Sequence, residues 1–136
     1  MERVTGLGGF FFRAPDPAAL RAWYVGRLGV APVPTDPAGA SWRQEAGATA
    51  CEPFPEDTGH FRDPAQRWMI NFRVRDLEAM VHQRRNAGVP VEVAEQVYPY
   101  GRFARLADPE GNPIELWQPA GAKPAGSGGV SNLTPP

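Results

Sequence analysis

The sequence predicts an α+β fold made of two tandem βαβββ modules with mixed sheets. Three observations lead to this prediction: an internal repeat, a capped helix with a glycine stop in each copy, and a Pro-Gly turn ahead of the last strand. Segment 12–17 (FRAPDP) lines up with segment 72–77 (FRVRDL), and segment 28–30 (LGV) with segment 87–89 (AGV). The offset stays near sixty residues through both matches, as expected for one unit written twice.

The first copy carries signals for a strand, a helix and two further strands. Residues 9–14 (GFFFRA) form an aromatic-rich run of the kind that strands favour. Asp16 can cap a helix start, and Gly29 can end that helix in a left-handed conformation. Residues 42–45 and 49–54 flank a short turn and supply the remaining strands of the predicted module.

The second copy repeats this order and ends with a better specified turn. Residues 69–74 predict a strand, Asp76 predicts the helix start and Gly88 its end. Residues 102–107 and 114–118 then predict two strands around the sequence DPEGNP. There Asp opens the turn, Pro fixes the first central dihedral angle and Gly supplies a positive φ.

Length and composition are those of one globular domain. The chain has 136 residues, of which 42% are hydrophobic, so we expect a single domain over residues 1–119 with modules at about 4–55 and 66–119. Residues 120–136 (AGAKPAGSGGVSNLTPP) offer little to bury and are predicted to be a disordered tail.

Charge and cysteine content restrict the expected partners and location. A net charge of -1 gives no general attraction to nucleic acid or to anionic membranes. No apolar run approaches the roughly 20 residues of a membrane span, and no signal peptide is recognisable. Cys51 is the only cysteine, which suits a reducing compartment. We therefore expect a cytoplasmic protein whose partner is a small molecule.

Three motifs resemble the vicinal-oxygen-chelate superfamily, which contains glyoxalases, bleomycin-resistance proteins and ring-cleaving dioxygenases. They are FFRAPD at 11–16, NFRVRD at 71–76 and, most specific, ADPEGNPIELW at 107–117. The resemblance covers about residues 4–119. It implies that the two modules curl their sheets into a cup with the helices outside, that ligand and metal bind in this cup, and that the protein is a homodimer.

The resemblance also implies positions for metal ligands, and this sequence fills them unevenly. Glu115 stands where the family has its carboxylate ligand, and Glu52 is the best match in the first module. The other two positions fall on Gly9, which has no side chain, and Met69, whose thioether suits hard metals poorly. We therefore expect no metal cofactor, with a divalent metal held by Glu115 and Glu52 as the alternative. Equally, Glu115 can pair with an arginine inside the cup.

Histidine does not restore the predicted metal site. His60 lies in the segment EDTGHFRD at 56–63, between the two modules. We expect it on the surface of a loop, with metal ligation as the lesser alternative.

Strand alternation predicts which side chains line the cup. The predicted ligand-binding residues are Phe11, Arg13, Glu52, Met69, Asn71, Arg73 and Trp117, together with Glu115. The two arginines can bind a carboxylate or phosphate, and Phe11 and Trp117 can stack on a flat ring. The alternative is that both arginines pair internally with Glu52 and Glu115.

Tyr98 and Tyr100 precede the strand that enters the DPEGNP turn. The hydroxyl of Tyr100, or that of Tyr98, can donate a proton to a developing oxyanion, which with Glu115 would form a catalytic pair. The alternative is that both rings pack at the rim of the cup.

Two classes of function follow from this reading. The first is a protein that binds a small anionic or aromatic molecule without a metal. The second is an enzyme of the lyase, isomerase or dioxygenase type, with an altered metal-ligand set around Glu115 and Glu52 or with one of these carboxylates as a general base. The sequence alone leaves open whether the protein is an enzyme.

Overall fold

The computed structural model describes residues 1–31 and 33–121, and these residues form an α+β fold as predicted. Its elements are α1 (Pro17–Trp23), continued by a π-helical turn (Tyr24–Leu28), then β1 (Ile70–Arg73), α2 (Leu77–Asn86), β2 (Glu92–Val93), β3 (Gly101–Ala107) and β4 (Pro113–Pro119). Among the described residues, neither helix has the length and apolarity needed to cross a bilayer. Most of the predicted tail, 122–136, lies outside the described residues.

The four strands form one mixed sheet in the order β1-β4-β3-β2. Strand β1 runs parallel to β4, whereas β3 is antiparallel to both β4 and β2. The order β1, α2, β2, β3 and β4 along the chain is the βαβββ unit predicted for the second copy. All hydrogen-bonded strands of the described part of the chain therefore belong to this unit.

The tandem arrangement of two such modules is not confirmed. Residues 9–14, 42–45 and 49–54, which the sequence predicts to be strands, are not strands in the structure. A strand exists only where its backbone N–H and C=O groups pair with a neighbour, and these segments are mostly exposed and form no such ladder. The first aromatic run reaches the core through side chains alone, since Phe10 and Phe12 pack against Trp68 with ring centroids 5.0 and 5.4 Å away.

Both helices begin and end where their capping residues predict. The side-chain Oδ1 atoms of Asp16 and Asp76 accept hydrogen bonds from the backbone N–H groups of Ala19 and Ala79, at 3.1 and 3.0 Å. Gly29 and Gly88 follow the two helices with φ of 72° and 81°, a conformation that costs glycine little. Local sequence signals thus fix both helices.

The core lies between the two helices and one face of the sheet. Its buried residues are Leu20, Tyr24, Leu77, Val81, Ala104, Leu106, Ile114 and Leu116. Along β4, Ile114 and Leu116 point into this core, whereas Glu115 and Trp117 point to the opposite side. We call that opposite side of the sheet the cup face, and the strand register adds Asn71, Arg73, Phe103 and Arg105 to it.

A buried carboxylate joins the first helical segment to the turn before β4. The hydroxyl of Tyr24 donates to Asp108 Oδ2 at 2.8 Å. The same carboxylate accepts from the backbone N–H groups of Glu110 and Asn112 and from the Asn112 side chain, at 2.8, 3.0 and 2.7 Å. Burial, and the Asp108 carboxylate beside it, raise the pKa of Tyr24 well above its usual range. The Tyr24 hydroxyl therefore keeps its proton and donates this hydrogen bond at ordinary pH. The bond connects the first helical segment to the turn before β4.

We expect Tyr24→Phe to lower the free energy of unfolding by about 1.5–3 kcal/mol, because a buried hydrogen bond to a charged group is lost. Urea unfolding followed by circular dichroism measures this change. Tyr98→Phe is the matched control, because the Tyr98 hydroxyl makes no hydrogen bond among the described residues. Equal stability of the two variants would contradict this role of Tyr24.

Candidate functional site

Glu115 lies at the centre of the cup face and is only 3% exposed. Its neighbours across the sheet are Asn71 on β1 and Arg105 on β3. The Asn71 side-chain amide donates to Glu115 Oε1 at 2.8 Å, and Arg105 Nε lies 3.6 Å from Oε2. Each carboxylate oxygen therefore has a polar partner supplied by an adjacent strand.

The third neighbour of Glu115 is His60, which the sequence predicts to lie on the surface of a loop. That prediction is wrong: the His60 side chain is 16% exposed and its Nε2 lies 3.4 Å from Glu115 Oε2. Its ring stacks on Phe54 with centroids 5.0 Å apart, and it is hydrogen-bonded to Arg105 Nη2. The flanking Phe54 and Phe61 were the available signal, since apolar rings in a polar loop indicate a segment that packs.

Residues 45–62 lie across the cup face, and we call this segment the strap. Arg73 Nη2 donates to the Glu45 carbonyl at 3.0 Å, and Arg75 Nη2 pairs with the Glu45 carboxylate at 2.7 Å. Near the other end of the strap, Arg62 Nη2 pairs with Glu92 at 2.7 Å. Exposed ion pairs of this kind contribute at most about 1 kcal/mol each, so the half-buried rings of Phe54, His60 and Phe61 anchor the strap more strongly.

The strap passes close to Arg73 because residue 47 is glycine. A Cβ on Gly47 would overlap the Arg73 guanidinium. Arg73, a predicted ligand-binding residue, is therefore half-buried beneath the strap and bonded to its backbone. Its partner is a strap carbonyl, not the Glu52 or Glu115 carboxylate.

Burial shifts the pKa values of both Glu115 and His60. Desolvation raises the pKa of Glu115, while the hydrogen bond from Asn71 and the charge of Arg105 oppose part of this rise. Desolvation, and secondarily the charge of Arg105, lower the pKa of His60 below its ordinary value. His60 is consequently neutral at pH 7, and Arg105 is the counter-charge of Glu115.

Three predicted site residues lie away from this cluster. Phe11 is 89% exposed, and Arg13 and Glu52 are exposed as well. Met69, which precedes β1, is half-buried. The structure therefore brings Asn71, on the second module, to Glu115 but leaves the first-module residues at the surface. Arg13 makes no ion pair or hydrogen bond within the described part of the chain.

Trp117 and Tyr100 meet at the far end of the cup face. The indole N–H of Trp117 donates to the Tyr100 carbonyl at 2.9 Å. Its ring is buried and stacks on Phe103 with an interplanar angle of 6°. The Tyr100 ring stacks on Tyr98 at 5.1 Å, and burial raises the pKa of its hydroxyl. These four rings form an aromatic end wall beside the Glu115 cluster.

The donor set does not fit a divalent metal. Among residues 1–31 and 33–121, no three His, Cys, Asp or Glu side chains come together in an arrangement that could hold one. Glu115 has a histidine beside it, but its other neighbours are an amide and a guanidinium, and Glu52 is exposed. A catalytic centre ordinarily has three protein ligands.

A cavity of about 500 Å³ lies beside β2 and the end of β3, and its wall includes Arg105 of the cup face. Residues in its wall include Trp23, Arg62, Val89, Val91, Glu92 and Arg105. Its volume lies within the roughly 300–1,000 Å³ usual for small-molecule sites. Arg105 belongs both to this wall and to the Glu115 cluster, so the cavity and the buried carboxylate share one guanidinium.

Comparison with known proteins agrees with this fold. The family model described as Glyoxalase-like domain matches residues 9–117, and the chain belongs to that family. This assignment agrees with the resemblance to the vicinal-oxygen-chelate superfamily that the sequence motifs carry. A search of curated proteins gave no match.

The chain is also similar to several solved structures. TnmS3, an antibiotic binding protein from Streptomyces sp. CB03234, is 24% identical with a TM-score of 0.59, and the match covers 88% of this chain and all (100%) of that one. A glyoxalase/bleomycin resistance protein from the same strain is 24% identical with a TM-score of 0.46, covering 76% and 92% of the two chains. A superfamily member from Sphaerobacter thermophilus DSM 20745 is 20% identical with a TM-score of 0.49, covering 77% and 90%.

We expect Glu115→Gln to change how stability depends on pH. The folded-state pKa of Glu115 is raised, so folding favours the protonated form and wild-type stability falls as pH rises above about 4.5 towards that pKa. Relative to wild type, Glu115→Gln should therefore gain stability over that window, by up to about 1.4 kcal/mol per pH unit.

Urea unfolding at several pH values between 4 and 7 measures this difference. Glu52→Gln, which removes an exposed carboxylate, is the control and should leave the pH profile unchanged. Parallel profiles for wild type and Glu115→Gln would show that burial does not set the protonation of Glu115.

Proposed function

We propose that this protein binds a small anionic aromatic molecule between the cup face and the adjoining cavity, without a metal ion. The observation that carries the proposal is the position of Arg105, which borders the cavity and contacts the buried Glu115 cluster. The cup face carries two guanidinium groups, those of Arg73 and Arg105, and one carboxylate, that of Glu115. The excess positive charge favours an anionic group, which arginine binds in a planar, bidentate manner.

Aromatic side chains surround this charge and favour a flat ligand. Trp23 stands in the cavity wall, and the strap brings Phe54 and Phe61 to His60. Rings of this kind bind a planar molecule by stacking, while a few polar groups fix its orientation. TnmS3, which shares the fold, is an antibiotic binding protein, so binding of a small molecule has a precedent on this scaffold.

The proposal includes a homodimer. Phe10, Phe11, Val4 and Leu7 are exposed on a first-module segment without strand partners. A second copy would cover these side chains and supply partners for the backbone. Sedimentation velocity with Phe11→Ser as the interface variant tests this: wild type should sediment as a dimer and the variant as a monomer.

We place the protein in the cytoplasm because its lone cysteine cannot form an internal disulfide.

A second candidate is a metal-independent enzyme in which Glu115 accepts a proton. The observation in its favour is a buried carboxylate of raised pKa with a neutral imidazole 3.4 Å away, an arrangement suited to general acid–base work. The metal-dependent lyase, isomerase or dioxygenase remains the further alternative. Near-stoichiometric Ni, Zn, Mn or Fe in the purified protein, lost in Glu115→Gln, would replace our proposal with that alternative.

Calorimetric titration with naphthoate and with its uncharged analogue naphthamide tests the binding proposal. We expect naphthoate to bind and naphthamide to bind much more weakly, because only the carboxylate pairs with arginine. Loss of one charge-assisted hydrogen bond in Arg105→Gln should weaken naphthoate about 10- to 150-fold.

Arg21→Gln is the matched control, because Arg21 is an exposed arginine on α1 outside the cup face, and it should leave the Kd for naphthoate unchanged. Equal affinities for the acid and the amide, or an unchanged Kd in Arg105→Gln, would disprove the proposed role of the anionic group.

A further inference from the structure

A second cavity lies on the helical side of the sheet, and we call it the α2 groove. It has a volume of about 380 Å³ and is bounded by α2 on one side and by β2 and β3 on the other. Its lining includes Leu77, Val81 and Arg85 from α2, Val93 from β2 and Arg102 from β3. Among the described residues, it shares no lining residue with the cavity at Arg105, so the α2 groove is separate from the site proposed above.

The base of the α2 groove is aliphatic. Leu77 is fully buried there, Val81 is 6% exposed, and Val93 is half-buried and packs against the same core. The methylene stems of arginine side chains add further apolar surface to such a wall. In the part of the chain that the structure describes, no Phe, Tyr or Trp side chain lines the groove. The α2 groove therefore favours an aliphatic chain, in contrast to the aromatic surroundings of the cup face.

Arg102 is a half-buried cation that lacks a protein partner. It makes neither a hydrogen bond nor an ion pair within residues 1–31 and 33–121, although half-buried polar groups normally have an acceptor. None of its own nitrogen atoms is sealed from solvent. The N–H donors of this guanidinium are therefore available to a molecule in the groove.

Arg85 supplies a second cation to the α2 groove. Its Nη2 donates to the Val91 carbonyl at 2.8 Å, so a neutral acceptor orients the guanidinium, which forms no ion pair among the described residues. Within the described lining, Glu78 carries the one carboxylate, and it lies outside ion-pair distance of both arginines. Two guanidinium groups against one carboxylate leave a positive charge that favours an anion.

The two arginines stand towards opposite ends of the α2 groove. The cross-strand neighbour of Arg102 is Gln118, whose Oε1 accepts a hydrogen bond from the backbone N–H of Leu77 at 2.8 Å. Arg102 is thereby placed beside the first turn of α2. Arg85 lies in the last turn, and the rise along the helix from Leu77 to Arg85 is about 12 Å. The aliphatic base lies between these two cations.

We propose that the α2 groove binds an aliphatic dicarboxylate, with one carboxylate on Arg85, the other on Arg102, and the hydrocarbon chain over Val81 and Val93. Arginine forks match carboxylate oxygens in geometry as well as in charge. Removal of the methylene groups from water adds to the affinity. This ligand differs from the flat anion proposed for the cup face in its shape, its charge and its place on the protein.

Calorimetric titration with suberate, an eight-carbon dicarboxylate, tests this proposal. We expect suberate to bind about tenfold or more tightly than octanoate, because octanoate has a chain of the same length but only one carboxylate. Succinate carries both carboxylates on a chain too short to reach from one arginine to the other, so it should also bind more weakly than suberate. Equal affinities for suberate and octanoate would overturn the proposal.

Variants of the groove change the affinity for suberate in opposite directions. Arg85→Gln and Arg102→Gln should each weaken it about tenfold or more. Glu78→Gln should tighten it by up to about fivefold, because a like charge near the ligand is removed. Arg21→Gln is the control, because Arg21 is an exposed arginine on α1 outside the groove, and it should leave the Kd for suberate unchanged. An unchanged Kd in Arg85→Gln or Arg102→Gln would contradict the proposal.

Two cross-titrations separate this site from the cup face. Arg102→Gln should leave the Kd for naphthoate unchanged, and Arg105→Gln should leave the Kd for suberate unchanged. Loss of suberate binding in Arg105→Gln but not in Arg102→Gln would place the dicarboxylate on the cup face and overturn this proposal alone. If suberate does not bind and Arg102→Gln instead changes self-association in sedimentation velocity, the missing acceptor belongs to a second copy, and the proposal fails.

Discussion

The buried Asp108 carboxylate is the interaction on which the arrangement of this fold depends. It accepts four hydrogen bonds, one from Tyr24 and three from the turn that precedes β4. A carboxylate can be buried at acceptable cost only when its oxygens are satisfied in this way. The DPEGN sequence therefore does more than form a tight turn. It fixes the start of β4, and hence the direction in which Glu115 points, relative to the helix that carries Tyr24.

On the cup face a second buried carboxylate, that of Glu115, also has a polar partner for each oxygen, but the partners are different groups. Glu115 is buried among an amide, a guanidinium and an imidazole, and every one of these groups comes from a different segment of the chain. Asn71 and Arg105 are supplied by sheet register, but His60 is supplied by the strap. The polar centre of the sheet and the position of the strap are therefore interdependent, because removing the strap would expose the carboxylate on one side.

The sequence predicted those features that short segments determine and missed those that depend on distant partners. The caps at Asp16 and Asp76, the glycine stops, and the alternation of Glu115 with Ile114 and Leu116 follow from local rules, and the structure contains them. The strands of the first module were predicted from composition, but a strand also needs a backbone partner, and residues 9–14 have none in the described chain. His60 was misplaced for a related reason, since its burial is decided by Phe54 and by a sheet residue 55 positions away.

The strap has a consequence for the kinetics of binding. His60 contacts Glu115, and the strap that carries it is held otherwise by exposed ion pairs, by the hydrogen bond from Arg73 to the Glu45 carbonyl and by the packing of its own aromatic rings. Under the binding proposed above, a ligand displaces His60 before it contacts Glu115, so we expect association to be a two-step process in which opening precedes contact. Its observed rate levels off at high ligand concentration at the opening rate of the strap. The histidine that stabilises the empty protein would thus act as its gate.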